Sequence, residues 1–227
     1  MTAATPPARR KPRAETSALA RPVRAVRESR QRILSAIREA AIQEFSLHGL
    51  KGTSTQAIAE RAGLTKPQLH YYITGKEELY NELLDSVMMA WKIEFPPPGL
   101  TDPAEILAHY IRQKLDHAFD QPTVSRIFTR EILDGGHNLG RYWPNARVWI
   151  QKEVGMINGW IARGLMRPMN AHLLLMHIWA MTQHHADFAL QVREICGTER
   201  DPQPLNREAV ANDLIPFVLR GCGLLRD

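Results

Sequence analysis

The sequence predicts an all-α protein of about nine helices, with a small amino-terminal helix-turn-helix unit joined to a larger helical body. Three observations carry that prediction. Apolar residues recur every three or four positions along most of the chain, the spacing of one helix face. No segment alternates with period two for long enough to argue a strand. Residues 53–79 read as two short helices meeting at a glycine-containing turn.

The first 32 residues hold nine of the 29 Lys and Arg but only Glu15 and Glu28 of the 24 acids. The net charge is +5, so the remainder of the chain is slightly acidic. Residues 1–26 are basic, rich in Ala and Pro and without apolar period, the composition of a disordered arm. Such an arm either adds phosphate and minor-groove contacts on a nucleic acid or only solubilises the chain. A helix is expected from Glu28 to Leu47, with Ile33, Ile37, Ala41 and Phe45 spaced by four and His48-Gly49 as its stop.

Ser54 and Thr55 are placed to cap the next helix, whose Ile58, Ala59 and Ala62 share a face. Gly63 supplies the positive φ that ends it. Thr65 opens a second helix with Gln68 three residues on, a capping-box spacing, and Pro67 in the first turn, where its missing N–H does no harm. Leu69 and one of the two following tyrosines face inward. Lys66, Gln68, His70 and Tyr71 then point outward near the amino end, where a helix-turn-helix meets base edges in the major groove. Lys donates to guanine, Gln pairs with adenine, and tyrosine hydroxyls suit phosphate oxygens. Thr74-Gly75-Lys76-Glu77 is a second capping-box spacing and sets Lys76 beside the phosphate backbone. The candidate DNA contacts are Ser54, Thr55, Thr65, Lys66, Pro67, Gln68, His70, Tyr71, Tyr72 and Lys76. Spacing alone leaves open an ordinary helical hairpin with polar, solvent-facing residues.

The order Gly63-Leu64-Thr65, Leu69, Tyr71-Tyr72-Ile73, Lys76-Glu77 and Leu79, preceded by Phe45, Gly49, Thr53, Ile58 and Ala59, resembles the DNA-binding domain of the TetR family of repressors. His70 stands where that family usually has tyrosine, and Ile73 where it usually has phenylalanine. The resemblance implies a homodimeric transcriptional regulator that binds double-stranded DNA at a near-palindromic operator and responds to a small-molecule effector. Its last two helices would form the dimer interface. On that reading residues 1–26 are the arm, 27–78 the helix-turn-helix DNA-binding domain, and 79–227 the ligand-binding and dimerisation domain.

The helix begun at Lys76 is expected to reach about Phe95, where Pro96-Pro97-Pro98-Gly99 stops it, and so to link head and body as a lever. Asp102-Pro103 opens a helix to about Phe119, and Pro122 begins one that ends at Gly135-Gly136. Pro144 starts a longer helix to Gly164, and Asn206 caps the last, with Pro216 as a kink. Asn170 caps a helix read through Cys196 that is apolar on all sides between Leu173 and Met181 and is expected to be buried on several. It nevertheless presents Thr182-Gln183-His184-His185-Ala186-Asp187, and buried polar groups need partners. Trp179 and Gln183 lie four residues apart on one face; a flat indole beside an amide suits a small planar heterocycle with amide-like edges, although such a tryptophan by default packs a core.

Ile178-Trp179-Ala180, Thr182-Gln183-His184, Ala186 to Ala189 and Gln191-Val192, with Tyr110-Ile111-Arg112, Lys114-Leu115, Ser125-Arg126, Phe128 and Glu131 upstream, are similar to the ligand-binding region of the TetR-family regulators of pyrimidine utilisation. This implies a uracil or thymine effector, held by Trp179 and Gln183 through the motif and by Trp91 through its place on the connecting helix. His185 replaces a tyrosine of that pattern. A same-fold regulator tuned to a hydrophobic drug-like or acyl effector is the alternative.

Other classes find less support. No nucleophile elbow, phosphate loop or clear acid–base pair points to an enzyme, so no catalytic residue and no cofactor is expected. His177, His184, His185 and Asp187 match no zinc spacing, and the histidines read as core or interface residues satisfied by hydrogen bonds, so no metal is expected either. Two cysteines, Cys196 and Cys222, give no disulfide framework. The longest apolar run falls far short of the ~20 residues a membrane span needs, and the amino terminus lacks a signal core. The expectation is a soluble, cytoplasmic protein with no membrane partner.

Overall fold

The computed structural model describes residues 20–197 and 205–225; residues 1–19 of the expected arm lie outside the described residues. Among those described there are ten α-helices and no strand. They are α1 (Ala20–Gly52), α2 (Thr55–Arg61), α3 (Lys66–Tyr72), α4 (Lys76–Ala90), α5 (Pro103–Asp120), α6 (Pro122–Leu133), α7 (Trp143–Ala162), α8 (Ala171–Asp187), α9 (Ala189–Cys196) and α10 (Arg207–Cys222).

The head is built by α1 to α4. Helix α1 begins at Ala20, ahead of the expected Glu28 and within the stretch read as the arm. It leaves helical geometry at Gly49, where φ is 66° and ψ −178°. Only glycine takes that conformation cheaply, and a Cβ there would stand 3.2 Å from Cδ of Arg130. The four-residue stripe of α1 is buried as expected: Ile37, Ala41 and Phe45 pack with Ile58, Ala59, Leu69, Leu83 and Leu84. Tyr80 sets its ring edge-on to Phe45, centroids 4.9 Å apart.

This core does not stop at the head. Ile127 of α6 and Leu139 belong to it, and Arg130 Nη1 of α6 donates to the Leu47 carbonyl at 2.6 Å. The buried carboxylate of Glu131 accepts from the Tyr80 hydroxyl (2.9 Å), the Asn138 backbone N–H (2.7 Å) and the Asn138 amide (3.2 Å). Helix α6 is thus bonded to both the first and the fourth helix of the head.

Two boundaries differ from expectation. Helix α4 ends at Ala90 and not at Phe95. Phe95 precedes a proline, which disfavours helical backbone, and Ile93 and Phe95 turn their side chains onto the body core. The helix expected through Cys196 divides at Phe188, with φ −112° and ψ 26°, which raises the helix count to ten. Arg126 of α6 donates to the carbonyl of Ala186, the one a continuing helix would offer to Leu190, while Asp187 accepts from Ser125 and Thr129.

Helices α5, α7, α8 and α10 enclose the body core, with Ile111, Leu115, Ile157, Leu175, Ile178 and Ala211 at its centre. Contrary to the expectation of burial on several sides, α8 shows one face to solvent: Leu173 is 53% exposed, and His172, His177 and Ala180 are exposed as well. On α10, Phe217 is 64% exposed.

Candidate functional site

The reading head forms as its capping residues dictate. Ser54 Oγ accepts from the Ala57 N–H at 3.0 Å and opens α2, Ala62 caps its end, and Gly63 turns the chain at φ 70°. Thr65 and Gln68 close a reciprocal capping box around the start of α3, with Pro67 in the first turn. Leu69 is buried beneath it, while Lys66, Pro67, Gln68, His70 and Tyr71 are exposed, Tyr71 by 76%. Tyr72 is the inward-facing tyrosine, packed on the head core and edge-on to Tyr71. Thr55 is half-buried in the first turn of α2.

Two details alter the sequence reading of this surface. Gln68 Oε1 already accepts from the Thr65 N–H (2.8 Å) and hydroxyl (3.0 Å). Its amide therefore offers the solvent a donor and not the donor–acceptor pair that adenine requires. Lys76, expected beside phosphate, instead donates from Nζ to the carbonyls of Leu50 (3.0 Å) and Thr53 (2.8 Å). It ties the end of α1 to α4. Helix α4 is capped by Gly75 with no side-chain bond, so the Thr74–Glu77 capping box does not form.

Below the head, a cavity of about 680 Å³ opens between the end of α4, α5, α6, α7 and α8. That is the size of a small-molecule site. Trp91, Trp179 and Gln183, drawn from two distant stretches of sequence, all line it. Trp91 packs edge-on against Phe128, centroids 4.6 Å apart. Trp179 donates from Nε1 to the Tyr110 hydroxyl at 2.7 Å, and Gln183 reaches Thr129 Oγ1 at 3.5 Å. The expected histidines pair with rings: His185 stacks on Phe119 and His184 on Phe188. Burial, and then the neighbouring His184, hold His185 below its ordinary pKa and so neutral.

Two further charged residues share the cavity: Lys114, which the sequence reading held only as part of the Tyr110–Leu115 similarity, and Glu153, which it did not name. Lys114 of α5 sets Nζ 5.9, 5.5 and 5.6 Å from the ring centres of Trp91, Tyr110 and Trp179. Glu153 of α7 is 8% exposed, and its Oε2 is buried with no hydrogen-bond partner. Desolvation lowers Lys114 to about 8 against the opposing pull of Glu153, and raises Glu153 to about 7 against that of Lys114. Both carry a readable signal. Lys114 falls between Tyr110, Ile111, Leu115 and Ala118, and Glu153 between Ile150, Val154 and Ile157, so each is a charge set in the apolar stripe of its helix.

A helix-turn-helix head, bonded through α4 and α6 to a helical body that holds a ligand-sized cavity, defines a ligand-responsive transcriptional regulator. The chain belongs to the TetR family. Residues 37–83 match the family described as bacterial regulatory proteins, tetR family, and residues 83–225 match YcdC-like protein, C-terminal region. It is 34% identical over 193 residues to the HTH-type transcriptional regulator RutR of Escherichia coli K12, covering 83% of this chain and 88% of that protein. Among solved structures, AibR in complex with isovaleryl coenzyme A and operator DNA superposes with a TM-score of 0.64 at 19% identity, over 82% of this chain and 97% of that one. The ketosteroid transcriptional regulator KstR2 of Mycobacterium tuberculosis also gives a TM-score of 0.64, at 20% identity, over 82% of this chain and 92% of that one. At these identities the two structures bear on the fold. Among the described residues, no helix is long and apolar enough to cross a membrane, and no group of three His, Cys, Asp or Glu could hold a metal ion.

Proposed function

We propose that this protein is a homodimeric repressor released from DNA by a small planar pyrimidine such as uracil or thymine. The observation that carries the reading is the convergence of Trp91, Trp179 and Gln183 on one cavity beside the helix that leads to the head. The indoles offer faces for stacking, and the amide of Gln183 both donates and accepts at the edge of a ring. The similarity of Ile178 to Val192 to the ligand-binding region of the pyrimidine-utilisation regulators supports that effector class.

The exposed apolar residues Leu173 of α8 and Phe217 of α10 supply faces for a two-fold interface. Two copies would then present their α3 helices to major grooves one turn, ~34 Å, apart. Effector bound against Trp91, at the end of α4, would shift that helix and change the separation. Moving the population from mostly competent to mostly incompetent takes roughly 5 kcal/mol of differential affinity. Tryptophan fluorescence during a uracil titration tests the site. Quenching is expected in the parent, and its loss is expected in Gln183→Ala; an unchanged response in that variant would move the effector elsewhere.

A second reading has its own support. The cavity is larger than one pyrimidine needs, and Met88, Ile93, Phe95, Phe128, Ile150 and Met176 give it apolar walls. Release of DNA by a hydrophobic or acyl compound, with no response to any pyrimidine, would favour it.

A further inference from the structure

The polar groups around the cavity are mostly committed to one another. Trp179 Nε1 and Tyr110 Oη form one pair, and the hydroxyls of Ser125 and Thr129 both serve Asp187. Thr182 Oγ1 donates to the Ile178 carbonyl. Lys92, Glu94 and Lys152 line the cavity from the solvent-exposed side and His117 is half-buried there; Lys114 and Glu153 are the two charged groups set among its apolar and aromatic walls. Glu153 Oε2 is buried without a donor, and a carboxylate oxygen is an acceptor that calls for one. Lys114 Nζ carries donors only, and the three ring faces around it balance its charge without giving it an acceptor atom of ordinary strength.

We infer that Lys114 and Glu153 are the specificity pair of the effector site and read a cyclic –CO–NH– edge, the ligand carbonyl accepting from Lys114 Nζ and the ligand N–H donating to Glu153 Oε2. The inference rests on this cavity being the effector site, and it narrows the ligand by chemistry. A cyclic imide, ureide or lactam satisfies both groups while its flat ring lies among Trp91, Tyr110 and Trp179. A fatty acid or a steroid offers no N–H and leaves the Glu153 carboxylate buried and unpaired, which a polar site penalises heavily. Gln183 then serves a second edge of the ring.

The test is calorimetric titration of the full chain with uracil and with dimethyluracil, methylated on both ring nitrogens, in the parent and in Glu153→Leu, Glu153→Gln and Lys114→Met. The parent is expected to prefer uracil. Glu153→Leu should weaken uracil by roughly tenfold or more, the scale of a hydrogen bond to a charged group, and leave dimethyluracil unchanged or improved. Glu153→Gln keeps the shape and an acceptor oxygen, so it should retain part of the preference. Lys114→Met should weaken both compounds, since both keep their carbonyls. Hydantoin and valerolactam extend the panel. If they bind in a Glu153-dependent way and uracil does not, the pyrimidine reading falls and the pair stands. If the Glu153 variants discriminate between uracil and dimethyluracil by the parent's factor, the pair is wrong even where uracil is the effector. Binding only of isovalerate or a ketosteroid, or of nothing in the panel, overturns it as well.

Discussion

Replacing Tyr80 by phenylalanine removes one hydroxyl from the joint between head and body. That hydroxyl donates to Glu131 at 2.9 Å, where both side chains are buried, and burial followed by this bond hold the phenol above its ordinary pKa. The ring itself is untouched, so its edge-on contact with Phe45 survives and no cavity opens. A hydrogen bond to a charged group contributes about 1.5–3 kcal/mol, and Glu131 keeps its Asn138 donors, which places the loss near ~2 kcal/mol. With a urea dependence of about 1–3 kcal/mol per molar, the unfolding midpoint should fall by roughly 1 M. Circular dichroism and tryptophan fluorescence would follow it. A midpoint and slope equal to the parent's would refute the argument that α4 is held to α6 by this bond.

Lys76→Met should cost about 1.5–3 kcal/mol in thermal unfolding, because the carbonyls of Leu50 and Thr53 lose a charged donor. The salt dependence of DNA binding should be unchanged; a log–log slope reduced by about 1 would restore Lys76 to the phosphate backbone. Thr65→Ala should lose about 1 kcal/mol of stability with the cap of α3. Gln68 Oε1 keeps its bond from the backbone N–H at position 65 in that variant, so operator preference, read by competition with single-base variants, should not shift toward adenine. Glu153 has a folded pKa raised to about 7, so its share of stability is fully present below the ordinary carboxylate range and is lost as pH rises through 7. Lys114, lowered to about 8, acts in the opposite direction and adds stability as pH rises from 8 toward its unfolded value. The effector-free parent should therefore lose stability relative to Glu153→Gln between about pH 5 and 7, and equal pH profiles would contradict that.

What the sequence makes legible here is mostly local. Ser54, Gly63, Thr65, Pro67 and Gln68 act through neighbours within four residues, so their roles can be read from order alone. The buried stripe of α1 and the pairing of Trp179 with Gln183 on one face follow from helical period in the same way. The misreadings are long-range. The break at Phe188 follows from Arg126, Ser125 and Thr129, about sixty residues upstream, capturing the end of α8. The bonds of Lys76 Nζ to the Leu50 and Thr53 carbonyls, more than twenty residues upstream, are equally out of reach of local order. The solvent-facing side of α8 looks like core in a sequence because apolar periodicity does not say which partner covers a face. Lys114 and Glu153 stood in plain view as charges inside apolar stripes, but their meeting depends on how α5 and α7 pack.

The central claim is that one ring-shaped effector in the cavity controls the helix-turn-helix. The most direct measurement is the anisotropy of a labelled fragment from the gene's own upstream region, at physiological salt with competitor DNA, during a uracil titration. The expected result is loss of the specific complex at low uracil in the parent, with Gln183→Ala holding its DNA throughout. A specific complex indifferent to both uracil and thymine would contradict the pyrimidine control proposed here.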